Sequence, residues 1–283
     1  MKYFFTEWKK ISEKLVGKKR FFFFDYDGTL TPIVKKPELA KLDSRIKDIL
    51  RKISKANKVA IISGRPLSEI KNFIGIKNII YSGNHGFEIE IKGKKIIQNT
   101  DHRTKNEIRR IKDKLAKEIK KIDGAFLEDK GLTLSVHWRL VNKKNLLKLF
   151  AIIRAVICNN SRVSLTKGKK VWEIRPNINW HKGKAVRFVM SKVQSPKSEV
   201  VPVFIGDDAT DEDVFKVLEN GITVRIGKSK KSKAKYYLKN QSEINRFLNL
   251  LTKGSIKYFT SVKYFVCHPE LVSGSIDAES SSA

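Results

Sequence analysis

Two aspartates separated by a single residue follow a run of four phenylalanines. Asp25 and Asp27 stand in the string DYDGTL, and the apolar run before them predicts a buried strand. Gly28 permits a turn at the strand end, so both carboxylates could address one cavity. One carboxylate could attack phosphorus while the other transfers protons. An ordinary acidic turn is the simpler interpretation of a bare DxDG, but the full string favours catalysis.

A second acidic cluster, GDDATDED at residues 206–213, follows the apolar run Val201–Ile205. An acidic helix start is the simpler interpretation, because the helix dipole favours carboxylates there. However, crowded carboxylates repel one another unless a cation offsets their charge. Oxygen ligands of this kind suit Mg²⁺, so the cluster predicts a magnesium site.

A third polar string, SGRP at residues 63–66, follows the apolar run Val59–Ile62. Ser63 could cap the next helix, with Pro66 in its first turn, or it could present its hydroxyl to an anion. All three strings follow predicted parallel strands. Since ligands of open α/β sheets bind at the carboxyl ends of the strands, we expect one shared site.

The elements around these strings predict an α/β protein with a doubly wound parallel-sheet core. Between the second and third apolar runs the pattern changes to helix, strand pair, helix, strand pair. The helices are expected at residues 108–122 and 143–157, a half-buried strand at 132–138, and a hairpin turning at Lys167 and Gly168. This order predicts a small α+β module inserted into the core.

The strings resemble the four signature motifs of haloacid-dehalogenase-type phosphatases, with Lys182 of WHKG as the lysine motif. The resemblance implies a haloacid-dehalogenase-like core with an inserted α+β cap domain. It implies that Asp25 is the nucleophile and Asp27 the general acid and base. Ser63 and Lys182 would hold the phosphoryl oxygens.

The same resemblance implies a Mg²⁺ cofactor. Its ligands would be Asp25, the backbone carbonyl of Asp27, and Asp207. Asp208 and Asp211 would support the waters around the ion.

Further strings resemble trehalose-6-phosphate phosphatases: YSGNHG at 81–86, EDK at 128–130 followed by HWR at 137–139, and EIRP at 173–176. The resemblance covers about residues 20–250. Charged strand residues most often form a solvated sheet face, but the resemblance implies that they bind the sugar. The implied substrate-binding residues are Gly83, His85, Glu128, Lys130, His137, Arg139, Glu173 and Arg175.

We therefore expect residues 1–100 and 177–253 to form the two parts of the core and residues 101–176 to form the cap domain. Residues 254–283 would be a tail that is poorly ordered at its end. The expected reaction is Mg²⁺-dependent hydrolysis of trehalose-6-phosphate to trehalose and phosphate through an aspartyl-phosphate. Alternatives are another sugar phosphatase, for example one acting on sucrose phosphate, a phosphosugar mutase, or a catalytically dead regulator. The presence of both Asp25 and Asp27 argues against the last.

The net charge of +30 indicates a possible polyanion partner, and a basic nucleic-acid-binding protein is the alternative from a different functional class. The charge is dispersed, however, and no nucleic-acid-binding motif accompanies it. We therefore expect a small sugar phosphate and no nucleic acid as the partner. The basic field would help to collect a dianionic substrate.

The two cysteines, Cys158 and Cys267, form neither a disulfide framework nor a zinc spacing, which suits a reducing cytosol. No apolar run approaches the length of a membrane span, and the N-terminal residues do not resemble a secretory signal. A cytoplasmic location without membrane contact is expected, and the oligomeric state stays open.

Overall fold

The structure, a computed structural model, describes residues 1–34, 37–98, 100–193 and 199–252. Its strands are β1 Lys2–Tyr3, β2 Lys19–Phe24, β3 Lys58–Ile62, β4 Ile80–Gly83, β5 Glu88–Ile91, β6 Lys94–Ile97, β7 Phe126–Asp129, β8 Leu134–His137, β9 Val163–Gly168, β10 Val171–Pro176, β11 Val200–Gly206, β12 Ile222–Ile226 and β13 Tyr236–Leu238. Its helices are α1 Trp8–Leu15, α2 Ser44–Ala56, α3 Leu67–Ile74, α4 His102–Ile119, α5 Leu146–Ile157, α6 Lys182–Val193, α7 Glu212–Val217 and α8 Ile244–Thr252.

Nine strands form the large sheet, in the order β1-β13-β12-β11-β2-β3-β4-β5-β6. The strands from β1 to β4 in this order are parallel, whereas β5 and β6 add an antiparallel edge. The three strands that precede the polar strings, β11, β2 and β3, are direct neighbours. Their carboxyl ends therefore meet at one edge of the sheet.

The phenylalanine run of β2 serves both faces of the large sheet, because successive side chains of a strand point to opposite sides. Phe22 and Phe24 pack in a core with residues of α1, α2, α3 and α8. Phe21 and Phe23 pack on the other side with residues of α6 and α7. Helices thus cover both faces, which confirms the doubly wound α/β class.

Four strands form a separate small sheet, in the order β7-β8-β10-β9, and all its pairs are antiparallel. One face packs against the apolar stripes of α4 and α5, with Leu134, Val136 and Ile174 in its core. The small sheet and its two helices fall within residues 102–176. The domain division at residues 100 and 176 stays a prediction.

Several predicted boundaries differ from the observed ones. Helix α4 begins at His102, six residues before the predicted start, because its first turn is polar and Asp101 caps it by accepting a hydrogen bond from the backbone N–H of Thr104 at 2.7 Å. The predicted hairpin turn is wrong. Lys167 and Gly168 belong to β9, and the turn lies at Lys169 and Lys170, where Lys170 has a positive φ of 63°.

The predicted tail, residues 254–283, lies outside the described residues, and so does Cys267. Cys158 is exposed and forms no disulfide. Within the described ranges, every helix is too short or too polar to cross a membrane.

Candidate active site

The carboxylates predicted to act together do meet at the carboxyl edge of the large sheet. Asp25 follows β2 and Asp207 follows the neighbouring strand β11. Oxygens of Asp25, Asp207 and Asp211 all lie within 4.8 Å of one another, and all three residues are buried. Residues about 180 positions apart in the sequence therefore share one site, which could hold a metal ion.

The turn after β2 allows this close approach. Gly28 has a φ of 82°, and a β-carbon at this position would collide with the Asp207 carboxylate. Both the left-handed backbone and the lack of space require glycine here.

Burial controls the electrostatics of the acidic set. It raises the pKa of Asp25 well above its ordinary value, and the carboxylates of Asp211 and Asp207 add to this shift. Burial likewise raises the pKa of Asp207 to about 6. Because buried carboxylates share this space and burial disfavours their charged forms, a bound cation would stabilise the ionised site.

Lys182, the first residue of α6, is the buried cation of this set. Its ammonium lies 2.7 Å from Asp25 Oδ1 and 2.8 Å from Asp211 Oδ1. Burial would lower the pKa of Lys182, but the carboxylates of Asp211 and Asp25 raise it above its ordinary value. The lysine therefore stays charged beside the predicted nucleophile.

Asp211 organises the loop after β11. Its Oδ2 accepts hydrogen bonds of 2.9 Å from the backbone N–H groups of both Asp207 and Asp208. With Lys182 on its other oxygen, the carboxylate has three hydrogen-bond partners. This arrangement fits a supporting role for Asp211, while the half-buried Asp208 lines the cavity.

Asp27 is held by an arginine whose role the sequence did not reveal. Arg65 donates two hydrogen bonds of 2.7 Å to the Asp27 carboxylate, one from Nε and one from Nη2. The guanidinium also pairs with Glu69 and lies over the rings of Tyr26 and Phe73. Arg65 belongs to the SGRP string, and its position two residues after Ser63 was the available signal.

Ser63 follows β3 and is fully buried. Its hydroxyl accepts a hydrogen bond of 3.1 Å from the backbone N–H of Arg65. The alternative in which Ser63 caps α3 is wrong, because Pro66 is the residue that precedes the helix and no side chain caps it. Gly64 and Arg65, the two residues after Ser63, line the cavity. The contact of Ser63 with phosphate stays a prediction.

Charged groups of the small sheet face the same cavity. His137 Nε2 lies 2.7 Å from Glu128 Oε2. Lys130 donates to the carbonyl of Gly64 on the large sheet at 3.0 Å, and it lies 3.3 Å from Glu173. A continuous polar network thus links the two sheets across the cavity.

Glu173 is the buried centre of this network. Burial alone would raise its pKa, but His85, Lys130 and Arg175 hold the pKa of this carboxyl well below its ordinary value. His85 lies in the turn between β4 and β5 of the large sheet, and its Nε2 lies 3.0 Å from Glu173 Oε2. Burial lowers the pKa of His85 to about 4, although the Glu173 carboxylate acts in the opposite direction.

A cavity of about 180 Å³ collects most of the predicted residues. It is lined by Asp25, Asp27, His85, Glu128, Lys130, His137, Arg139, Glu173, Lys182, Asp207 and Asp208, together with Lys169, which the sequence did not indicate. Two predicted substrate residues lie elsewhere. Gly83 packs against the backbone of Leu67, where a β-carbon would collide, and Arg175 pairs with Glu173 at the cavity's edge.

A second cavity of about 290 Å³ adjoins the first, and Pro37, His137 and Arg139 line both. The exposed side chains of Phe126 and Leu140 lie along the second cavity. The two spaces together offer room for a ligand larger than a phosphate ion.

A sequence model of the family described as trehalose-phosphatase matches residues 23–242, which is most of the chain. The chain belongs to the trehalose-phosphatase family. This membership confirms the predicted resemblance and the enzyme class, a phosphoric monoester hydrolase. Among relatives, trehalose-phosphate phosphatase B of Arabidopsis thaliana is 34% identical over 251 residues, covering 84% of this chain and 67% of that protein. Probable trehalose-phosphate phosphatase 4 of Oryza sativa subsp. japonica is 35% identical, covering 90% and 72%.

Solved structures of the trehalose-phosphatase family resemble this fold. The C-terminal domain of trehalose-6-phosphate phosphatase from C. albicans superposes with a TM-score of 0.72 at 25% identity, covering 86% of this chain and 96% of that one. A trehalose-6-phosphate phosphatase related protein gives a TM-score of 0.73 at 25% identity, covering 82% and 96%. A haloacid dehalogenase-like hydrolase from Bacteroides thetaiotaomicron shares the fold at 14% identity, with a TM-score of 0.60 and coverage of 82% and 99%.

Proposed function

We propose that this chain hydrolyses trehalose-6-phosphate to trehalose and phosphate, with Mg²⁺ as cofactor and an aspartyl-phosphate as intermediate. The observation that carries the proposal is the shared cavity. It is lined by Asp25 and Lys182 of the acidic site and by charged hydrogen-bonding groups of the small sheet. We infer the substrate from the names of the relatives, which are trehalose-phosphate phosphatases.

The donor set fits Mg²⁺, because buried carboxylate oxygens lie close enough to share one ion. Asp25, Asp207 and the backbone carbonyl of Asp27 would hold it, while Asp208 and Asp211 would support its waters. When bound, Mg²⁺ would offset negative charge on the phosphoryl oxygens.

The side chains of this chain carry the two displacements. Asp25 attacks the phosphorus, and the bond from phosphorus to the sugar oxygen breaks as Asp27 donates a proton to that oxygen. Asp27, now ionised, then accepts a proton from the water that attacks the aspartyl-phosphate. This step releases phosphate and restores the Asp25 carboxylate.

Neighbouring cations position Asp27 and offset the negative charge of the phosphoryl group. Arg65 holds the Asp27 carboxylate at the wall of the cavity, and Lys182 offsets charge that develops on the phosphoryl group. Ser63 would add a hydrogen bond to a phosphoryl oxygen. Phosphate monoesters hydrolyse so slowly unaided that these groups together must lower the barrier by about 20 kcal/mol.

Residues 101–176 would act as a cap that recognises the sugar and excludes bulk water. Glu128, Lys130, His137 and Glu173 present both donors and acceptors, which suits the hydroxyl groups of a disaccharide. Arg139 lines both cavities and would reach the sugar ring that lies farther from the phosphate.

The decisive experiment is phosphate release from trehalose-6-phosphate, measured with and without MgCl₂, beside glucose-6-phosphate and sucrose-6-phosphate. We expect turnover only with the metal, and a kcat/KM for trehalose-6-phosphate at least about tenfold above the other esters. A preference for sucrose-6-phosphate would replace the substrate but keep the reaction. No release from any ester in the presence of Mg²⁺ would refute the proposal.

A further inference from the structure

The hairpin between β9 and β10 brings a lysine of the small sheet onto the acidic edge of the large sheet. The ammonium of Lys169, in the turn, forms an ion pair with Asp207 Oδ2 and lies 3.5 Å from the backbone oxygen of Asp207. The Asp207 side chain is 4% exposed, whereas that of Lys169 is 44% exposed. A solvent-reaching cation is thus held on a buried carboxylate.

Lys169 differs from the other cations of the site. Lys182 lies between two carboxylates, and Arg65 contacts Asp27, Glu69 and two aromatic rings; both side chains are buried. Over the described ranges, Lys169 is the basic side chain within ion-pair distance of Asp207. It is joined to that carboxylate alone, and its long stem can turn to another anion.

Asp207 is also a residue that we propose as a metal ligand. An ammonium group and a divalent ion repel each other when both contact one carboxylate, so binding of the metal would release Lys169. The released side chain would remain at the cavity, which Lys169 lines together with Asp25 and Lys182. A phosphoryl group beside Asp25 would be the nearest anion.

The backbone of the turn is held in place for such a contact. Arg139 donates a hydrogen bond of 3.2 Å from Nη2 to the carbonyl of Lys169, and the backbone N–H of Trp138 donates one of 3.0 Å to the carbonyl of Lys170. Both donors follow β8, so the small sheet itself positions the turn.

We propose that Lys169 is a phosphate-binding residue supplied by the small sheet. It neutralises Asp207 while no metal is bound, and it binds the phosphoryl oxygens of the substrate once a divalent ion contacts Asp207. The inference rests on the proposed function only in requiring a phosphate monoester as ligand. The contact of Lys169 with the phosphoryl group would thereby hold the small sheet against the large one, whichever sugar is attached to the phosphate.

The test compares Lys169→Met with Lys169→Arg and with Lys167→Met. Lys167 is an exposed lysine of the same hairpin. It lies opposite Trp172 in the pairing of β9 with β10 and does not line the cavity, so its variant controls for the loss of a positive charge. Calorimetry would measure binding of Mg²⁺ alone, and then of inorganic phosphate at saturating MgCl₂.

For Lys169→Met we expect tighter binding of Mg²⁺, because its competitor is gone, and binding of phosphate weakened on the order of tenfold. Lys169→Arg should restore phosphate binding to within about threefold, and Lys167→Met should match the wild-type protein. In turnover assays, Lys169→Met should raise KM for trehalose-6-phosphate and for p-nitrophenyl phosphate by similar factors, with kcat changed less.

Unchanged phosphate affinity in Lys169→Met would overturn the inference, as would an equal loss in Lys167→Met. Weaker binding of both Mg²⁺ and phosphate would indicate a purely structural role and would also overturn it. Because calorimetry needs no turnover, its result does not depend on which sugar the natural substrate contains.

Discussion

Three carboxylates at the carboxyl edge of the large sheet are each paired with a different cation. Lys182 contacts Asp25, Arg65 contacts Asp27, and Lys169 contacts Asp207. The first pairing lies beside the proposed nucleophile and the second fixes the proposed acid and base. Two predictions follow from the chemistry of single residues.

Replacing the proposed nucleophile tests the covalent step. Asp25→Asn should lower kcat on trehalose-6-phosphate by about 10⁴-fold or more, since an amide cannot form the aspartyl-phosphate. The fold should persist, as measured by circular dichroism. Asp213→Asn, in the same acidic string but half-exposed and away from the cavity, should keep most of the activity. Near-normal turnover in Asp25→Asn would reject the assignment.

Arg65 should matter for both stability and rate. Arg65→Met removes a buried guanidinium and leaves Asp27 and Glu69 without their partner, so the free energy of unfolding should fall by about 2 kcal/mol in urea titrations. The kcat should fall too, because Asp27 is no longer held. Arg51→Met breaks an exposed pair with Asp48 and should change stability by less than about 0.5 kcal/mol. Equal effects of the two variants would contradict the role given to Arg65.

At the scale of elements, strand β7 places two neighbouring acids in different surroundings. Glu128 points into the cavity and contacts His137, while the next residue, Asp129, pairs with Lys112 of α4 at 2.9 Å. Adjacent acids of one strand thus have different surroundings, because successive side chains point to opposite faces.

This alternation offers a matched test of sugar recognition. Glu128→Ala should lower kcat/KM for trehalose-6-phosphate by about tenfold more than for p-nitrophenyl phosphate, since only the first ester has sugar hydroxyls to lose. Lys130→Ala should behave similarly. Asp129→Ala, the neighbouring acid, should spare both substrates. Equal losses on the two esters in Glu128→Ala would argue against recognition by the small sheet.

At the scale of the whole molecule, the two sheets enclose an acidic site within a strongly basic chain. The net charge of +30 contrasts with the five aspartates at the carboxyl edge, Asp25, Asp27, Asp207, Asp208 and Asp211. A basic surface would attract a dianionic phosphate ester toward this site. The expectations of a cytoplasmic location and of no nucleic-acid partner stay predictions.

Mg²⁺ should stabilise the entire fold, because the unfolded chain does not keep the carboxylates together. At a concentration one hundred times its Kd, the ion should add about 2.7 kcal/mol to the free energy of unfolding, seen as a raised Tm. NaCl at equal ionic strength should not reproduce the shift, and Asp207→Asn should lose most of it. The same rise in Tm with both salts would contradict a specific metal site.

The class of fold and the polar residues at the strand ends can be predicted from local patterns of the chain. The phenylalanine run of β2 and the amphipathic stripes of α4 and α5 are local patterns, and burial follows from them directly. The sequence did not predict β5 and β6 of the antiparallel edge, because short strands with half-exposed residues show little periodicity. The strings DYDGT and GDDATDED marked the acidic set for the same local reason.

The pairing of these residues with one another depends on contacts between distant segments. The contacts of Arg65 with Asp27 and of Lys169 with Asp207 join segments 38 residues apart in each case, on different strands or sheets. Whether a lysine lies on a solvated loop or against a buried carboxylate depends on which surface faces it, and no local pattern encodes that. The chain's lysines look alike in sequence, and the packing of the small sheet against the large one brings Lys169 to the site.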